Sequence, residues 1–170
     1  MEINVMEQKF ESFEKSIESM VNLVSKTETE VLYKKPSEEK WSVMQIATHI
    51  IEAIEFWVAD LEALLVVPGA KWGRNHEHVR RLAAVDENYV ATVSKEEAIQ
   101  KLNALIPLVS QSFAKVQQAD LEKTAPSYNP NFDGKPLSFL INHLIVLHAE
   151  SHVGQMQRHL EMLQPQKAEK

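Results

Sequence analysis

The stretch SVMQIATHIIEAIEFWVADLEALLVV, residues 42–67, constrains the fold more than any other part of the chain. Ser42 with Gln45 three residues later is a capping-box signature for a helix start. Val43, Ile46, Ile50, Ala53, Ile54, Trp57, Leu61, Leu64 and Leu65 then recur as one broad apolar face. Pro68-Gly69 ends the segment near Val67. A helix with such a face must bury it against other elements, and the rest of the chain supplies three more helices of the same kind.

The first is marked by Met6, Phe10, Phe13, Ile17, Met20, Val21 and Val24 and is predicted to run to about Val31, before KKPSEEK breaks the pattern. Ser94 with Glu97 is a second capping box, followed by Ala98, Leu102, Leu105, Val109, Phe113 and Val116, with a kink predicted at Pro107. APSYNPNFDGKP is a loop by composition, and the fourth long helix is predicted to begin between Pro136 and Ser138 and to reach Leu163. Between the second and third helices, NHEHVRRLAAVD can form a short helix capped by Asn75, while GAKWGR and ENYVATV carry no clear period.

The pattern predicts an all-α fold, a four-helix bundle with a long crossover connection between helices 2 and 3, spanning residues 1–163, with a flexible tail at 164–170. A length of 170 residues suits a single domain, and only four glycines argue against an all-β design.

Charge and composition remove several classes of function. The formal net charge is −6 and the basic residues are scattered singly, so no nucleic-acid partner is expected. The acidic, amphipathic N-terminus does not read as a signal peptide, and ALLVV is far short of a membrane span, which predicts a cytoplasmic protein with no membrane partner. With no cysteine in the chain, any metal must be held by His, Asp, Glu or water.

The fourth helix carries the chemistry. In LHAESHVGQM, His148 and His152 lie about 40° apart around a helix and about 6 Å apart along it, on the stripe that Ile141, Leu144 and Met156 place toward the core. Two core imidazoles need partners for their nitrogens, and a shared metal ion satisfies both. Seven histidines in this length give about 0.3 pairs of that spacing by chance, so the spacing also admits two core histidines held by hydrogen bonds.

His49 lies on the apolar side of the second helix, between Ile46 and Ala53, and could converge with the pair inside a bundle. Glu52 and Glu55 follow it as a possible fourth ligand, outer-sphere acceptor or base, or as surface or ion-paired carboxylates. Gln155 beside His152 could orient an imidazole or a substrate, or bridge helices by a hydrogen bond.

On regular helical geometry His143 is about 140° from His148 and faces another side, as a surface or interface residue. His159 shares the stripe but sits about 10 Å beyond His152, too far for the same ion. His76 and His78 diverge on a helix and read as solvated. Trp41, Trp57 and Trp72 read as packing residues, with Trp72 placed to cap a pocket from its loop.

Two of these segments together resemble a known family. KWSVMQIATHIIEAIEFW is similar to the second-helix signature of the DinB-like superfamily, the DinB/YfiT-type metal-binding four-helix proteins, and LHAESHVGQMQRHL resembles its closing helix. The likeness covers nearly the whole chain and rests on Trp41-Ser42, His49, His148, His152, Gly154 and Gln155.

The resemblance implies a metal triad of His49, His148 and His152, and a divalent ion, zinc or nickel foremost. It also implies a homodimer acting on a small-molecule substrate. Members include thiol-dependent transferases and isomerases that use an external low-molecular-weight thiol, and others described as metal-dependent hydrolases. Three histidines leave a position for water or thiol, whose pKa the ion lowers. The competing expectation is a non-catalytic metal or small-ligand binding protein of a stress response.

Overall fold

A computed structural model describes residues 5–164. The expected tail at 164–170 therefore lies, beyond Gln164, outside the described residues. Helix α1 spans Val5–Lys26 and a single turn, α2, spans Thr29–Leu32. The long α3 covers Val43–Val66, two short helices follow at Val79–Ala84 (α4) and Glu87–Val90 (α5), and α6 covers Lys95–Phe113. The last helical rod consists of α7, Leu137–Phe139, a π-helical segment, Leu140–Val146, and α8, Leu147–Leu163. Among the described residues only two isolated β-bridges occur, Trp72 with Ser127 and Thr124 with Pro136.

Four long elements pack as a bundle in which α1 and α3 each lie between α6 and the last rod. Their directions explain the long connection. The C-terminal end of α1 meets the start of α6, where Lys95 Nζ donates to the Thr27 carbonyl at 2.7 Å. The C-terminal ends of α3 and α6 meet, where Lys115 Nζ and the Ser112 hydroxyl both donate to Glu62. At the start of α3 the Trp41 carbonyl accepts from His159, near the end of α8.

Helices α3 and α6 therefore run parallel, and the chain between them must return along the length of the bundle. Residues 67–94 do so, with α4 and α5 packed on α3. The core they enclose contains Phe13 and Ile17 from α1, Ile50 and Ile54 from α3, Leu102 and Leu105 from α6 and Leu140 from the last rod, all essentially without exposure.

Several predicted boundaries match. The Ser42 hydroxyl accepts from Gln45 N at 3.0 Å while Gln45 Oε1 accepts from Ser42 N at 2.8 Å, the reciprocal pair of a capping box. Ser94 caps α6 by accepting from Glu97 N at 3.0 Å. The last rod starts at Leu137, and α6 is helical on both sides of Pro107.

Others differ for local reasons. Helix α1 stops at Lys26 rather than near Val31, because the Thr27 hydroxyl turns back onto the Leu23 carbonyl at 2.6 Å and competes with helix continuation. The crossover helix starts at Val79, capped by the His78 ring, which accepts from Arg80 N. Asn75 instead closes its own turn by accepting from Glu77 N at 2.8 Å. Asp86, by accepting from Tyr89 N, caps the unforeseen α5. No helix among the described residues is long and apolar enough to cross a membrane.

Candidate metal centre

His49 on α3 and His148 and His152 on α8 converge where the two helices cross, with one ring nitrogen of each within 4.8 Å of the others. Their ring centres are 5.3 Å apart for His49 and His148, and 4.7 Å apart for the other two pairs. His49 is 2 % exposed and the α8 pair is half-buried.

Two of the rings are held in a defined tautomer. His148 Nδ1 lies 3.1 Å from the Leu144 carbonyl and His152 Nδ1 lies 2.6 Å from Gln155 Oε1. Both oxygens only accept, so each Nδ1 carries the proton and each Nε2 keeps its lone pair. Gln155 thus orients His152 within one helix and is not an interhelical bridge. This is the outer-sphere arrangement that fixes metal-ligating histidines.

His49 has no such tether. Its buried Nδ1 has no hydrogen-bond partner among the described residues, a deficit that costs about 1–3 kcal/mol. Its Nε2 sits 3.3 Å from His148 Nε2. Two imidazole nitrogens each bound at about 2.0–2.1 Å to one tetrahedral ion stand about 3.3 Å apart, so the spacing fits a shared divalent ion.

The electrostatics also suit ligation. Burial, then the neighbouring His152 and His148 rings and the Arg81 and Arg74 guanidiniums, push His49 down to about 2. Burial, followed by His152, lowers His148 to about 4 against the opposing bond to Leu144. Burial lowers His152 as well. All three imidazoles are neutral near pH 7, the form that donates a lone pair to a metal.

Glu52 does not join the group. Arg74 forks its carboxylate, with Nη1 to Oε2 at 2.7 Å and Nη2 to Oε1 at 2.6 Å. Glu55, raised chiefly by burial, also lies outside the imidazole group. His159, buried deeper in the bundle, gives Nδ1 to the Trp41 carbonyl at 2.7 Å.

A cavity of about 140 Å³ opens beside His49 and His148. Its wall includes Trp57, which the apolar period of α3 marked, and Arg74, Arg81, Asn129 and Phe132 from the connections, which no helical period marked. Trp72 caps a different place: it is buried, stacks on Phe132 at 5.7 Å, and does not line this cavity. Gly73 lets the crossover lie this close to the bundle. Its φ is +89°, its N–H donates to Asp60 at 2.7 Å, and an added Cβ would stand 2.6 Å from Ser127 Oγ.

His143 and His76, both exposed, also line the cavity mouth. For His143 the exposure agrees with a surface position, while its place beside the cavity corrects the expectation of another face. It lies within the π segment, where hydrogen bonds close five residues apart and bring residues of that spacing toward one side. Regular α geometry, the basis of the 140° angle, does not hold there. The ring is stacked on Phe139 at 4.8 Å.

Fold and site together define a class: a four-helix bundle with a long crossover, in which two crossing helices carry an open three-histidine centre. A sequence model of the DinB superfamily matches residues 12–156, and the chain belongs to that superfamily. The fold is also similar to a crystal structure described as that of a conserved protein from Enterococcus faecalis, with a TM-score of 0.75 at 13 % identity, covering 97 % of this chain and 100 % of that one. No curated protein matches the sequence.

Proposed function

We propose that the protein is a divalent-metal-dependent enzyme of its superfamily, acting by activation of an external low-molecular-weight thiol or of water at His49, His148 and His152. The observation that carries the reading is the convergence of three neutral imidazoles, two of them tied at Nδ1 so that Nε2 is the free nitrogen. A divalent ion held there supplies a Lewis acid that acidifies a thiol or a water near neutral pH. Imidazole donors suit zinc and nickel.

The chain's own groups then have distinct tasks. Leu144 and Gln155 hold two rings in place, and burial keeps all three unprotonated. Trp57 and Phe132 form the apolar side of the cavity. A thiol, if used, enters from solution, since the sequence has no cysteine.

The test is elemental analysis of untagged protein, followed by turnover of a chromogenic thiol acceptor and of a chromogenic ester. About one divalent ion per chain, lost together with turnover in His152→Ala, is the expected result. Metal without turnover of either substrate class would favour the second reading, a metal or small-ligand binding protein. No metal after incubation with zinc and nickel would remove both metal readings.

A further inference from the structure

The cavity beside the histidines has a one-sided charge. Among the described residues that line it there is no aspartate or glutamate, whereas Arg74 and Arg81 both reach it. The two arginines are not equivalent. Arg74 is buried and neutralised by Glu52 through two charge-assisted bonds, and its guanidinium lies 4.1 Å from the Phe56 ring centre.

Arg81 is half-buried and has no carboxylate within ion-pair distance among the described residues. Its Nη1 donates to the His76 carbonyl at 3.1 Å, and its guanidinium stands 5.9 Å from the Trp41 ring centre. These contacts orient the group without cancelling its charge. Its Nε and Nη2 protons meet no protein acceptor among the described residues. Glu52 acts on Arg81 only from beyond ion-pair distance, its carboxylate being forked by Arg74. A half-buried cation without a paired carboxylate is costly, and folding alone gives no reason to hold one at the rim of a cavity lined by the imidazoles of His49, His76, His143 and His148.

We propose that Arg81 anchors an oxyanion of the substrate, so that the protein acts on a small molecule bearing a carboxylate or phosphate. The free Nε and Nη2 edge of a guanidinium matches two oxygens of such a group side by side. The cavity volume of about 140 Å³ limits the part held there to a few heavy atoms. The proposal deepens the reading of the histidine centre as the reacting site and rests on it: the anion at Arg81 fixes one end of the molecule while the other faces His49 and His148.

Trp57 in the cavity wall and Trp41 against Arg81 make intrinsic fluorescence a direct readout of binding. Metal-free and zinc-incubated protein are titrated with acetate, with inorganic phosphate, and with acetamide as a neutral analogue of acetate. Saturable change with at least one anion and none with acetamide is expected. Binding should weaken about tenfold or more in Arg81→Gln and recover in part in Arg81→Lys.

Response to acetate alone assigns a carboxylate, and response to phosphate alone a phosphoryl group. Equal response to acetamide, no response to either anion, or unchanged binding in a folded Arg81→Gln overturns the proposal. Metal content of the same samples separates the two readings. Anion binding through Arg81 in a chain that takes up no metal removes the metal centre and keeps the anchor; metal uptake with anion binding indifferent to Arg81 does the reverse.

Discussion

His159 and the His148–His152 pair lie on one helix and one stripe, yet they stand in opposite chemical situations. His159 is 5 % exposed and gives its Nδ1 proton to the Trp41 carbonyl, so its burial serves the packing of α8 against the start of α3. Two to three turns away, His148 and His152 turn their Nε2 atoms toward His49, which keeps a buried nitrogen without a partner among the described residues. Burial is common to both places; the difference lies in whether the protein itself completes the hydrogen bonding. Where it does, the histidine belongs to the fold, and where it does not, the residual lone pairs belong to a ligand.

The strongest way to break this contrast is to remove imidazoles from each side of it. His49→Ala and His152→Ala should each lower bound metal from about one per chain to background, a loss of affinity above a hundredfold, because two nitrogens cannot retain the ion against buffer. His159→Phe should keep the wild-type metal content. Elemental analysis after gel filtration checks all three, and retention of metal in His49→Ala would sink the triad.

Acid should act next, through the triad. In the unfolded chain an imidazole takes a proton below about pH 6.5, whereas in the folded protein His148 resists until about 4 and His49 until about 2. Lowered folded values mean that the unfolded state binds protons first as pH falls. The contribution of the triad to the stability of the metal-free protein is therefore complete above about 6.5 and declines as pH falls, with the share of His148, on the order of 3 kcal/mol, lost by about 4 and that of His49 still declining toward about 2. Urea midpoints measured between pH 7.5 and 4.5 should fall, and His148→Gln should flatten the fall.

A third comparison concerns the Arg74–Glu52 pair, which resembles His159 in having its partners supplied by the chain. Glu52→Gln leaves a buried guanidinium without its counter-charge and should cost about 3 kcal/mol. Thermal unfolding of the metal-free protein reads the loss. Metal content should be unaffected, since Glu52 touches none of the three imidazoles. A metal-free variant as stable as wild type would show that the pair is dispensable for docking the crossover.

Which of these features could be read from the sequence follows from where they sit. His49, His148 and His152 lie in regular helical stretches with strong apolar periods, so an angle and a rise per residue placed them on core-facing sides. The Ser42–Gln45 capping box and the Pro68 stop bounded α3 for the same reason: the determinants are local. Arg74 is positioned by its fork on Glu52 and by Asn129, whose Nδ2 donates to the Arg74 carbonyl, and Arg81 stands against Trp41. Those are contacts between distant segments, and no period encodes them. His143 was misplaced because the seven-residue π segment changes the angular step in a stretch whose apolar spacing looks like ordinary helix.

Smaller effects test how finely the contrast is built. Gln155→Ala removes the acceptor that holds His152 Nδ1 and should weaken metal binding about tenfold to a hundredfold while leaving the fold intact. Gln155→Glu restores an acceptor in the same place and should recover most of that loss, which a merely structural role for the side chain would not predict. Competition titration with a zinc-chelating dye gives the ratio for both variants. His159→Phe then supplies the lower bound: it fills the same core space, forfeits one hydrogen bond to the Trp41 carbonyl, and should cost about 1 kcal/mol of stability with no change in metal affinity. If that variant instead released metal, the two ends of α8 would be coupled through its packing against α3, and the division between structural and ligand-holding histidines would have to be drawn elsewhere.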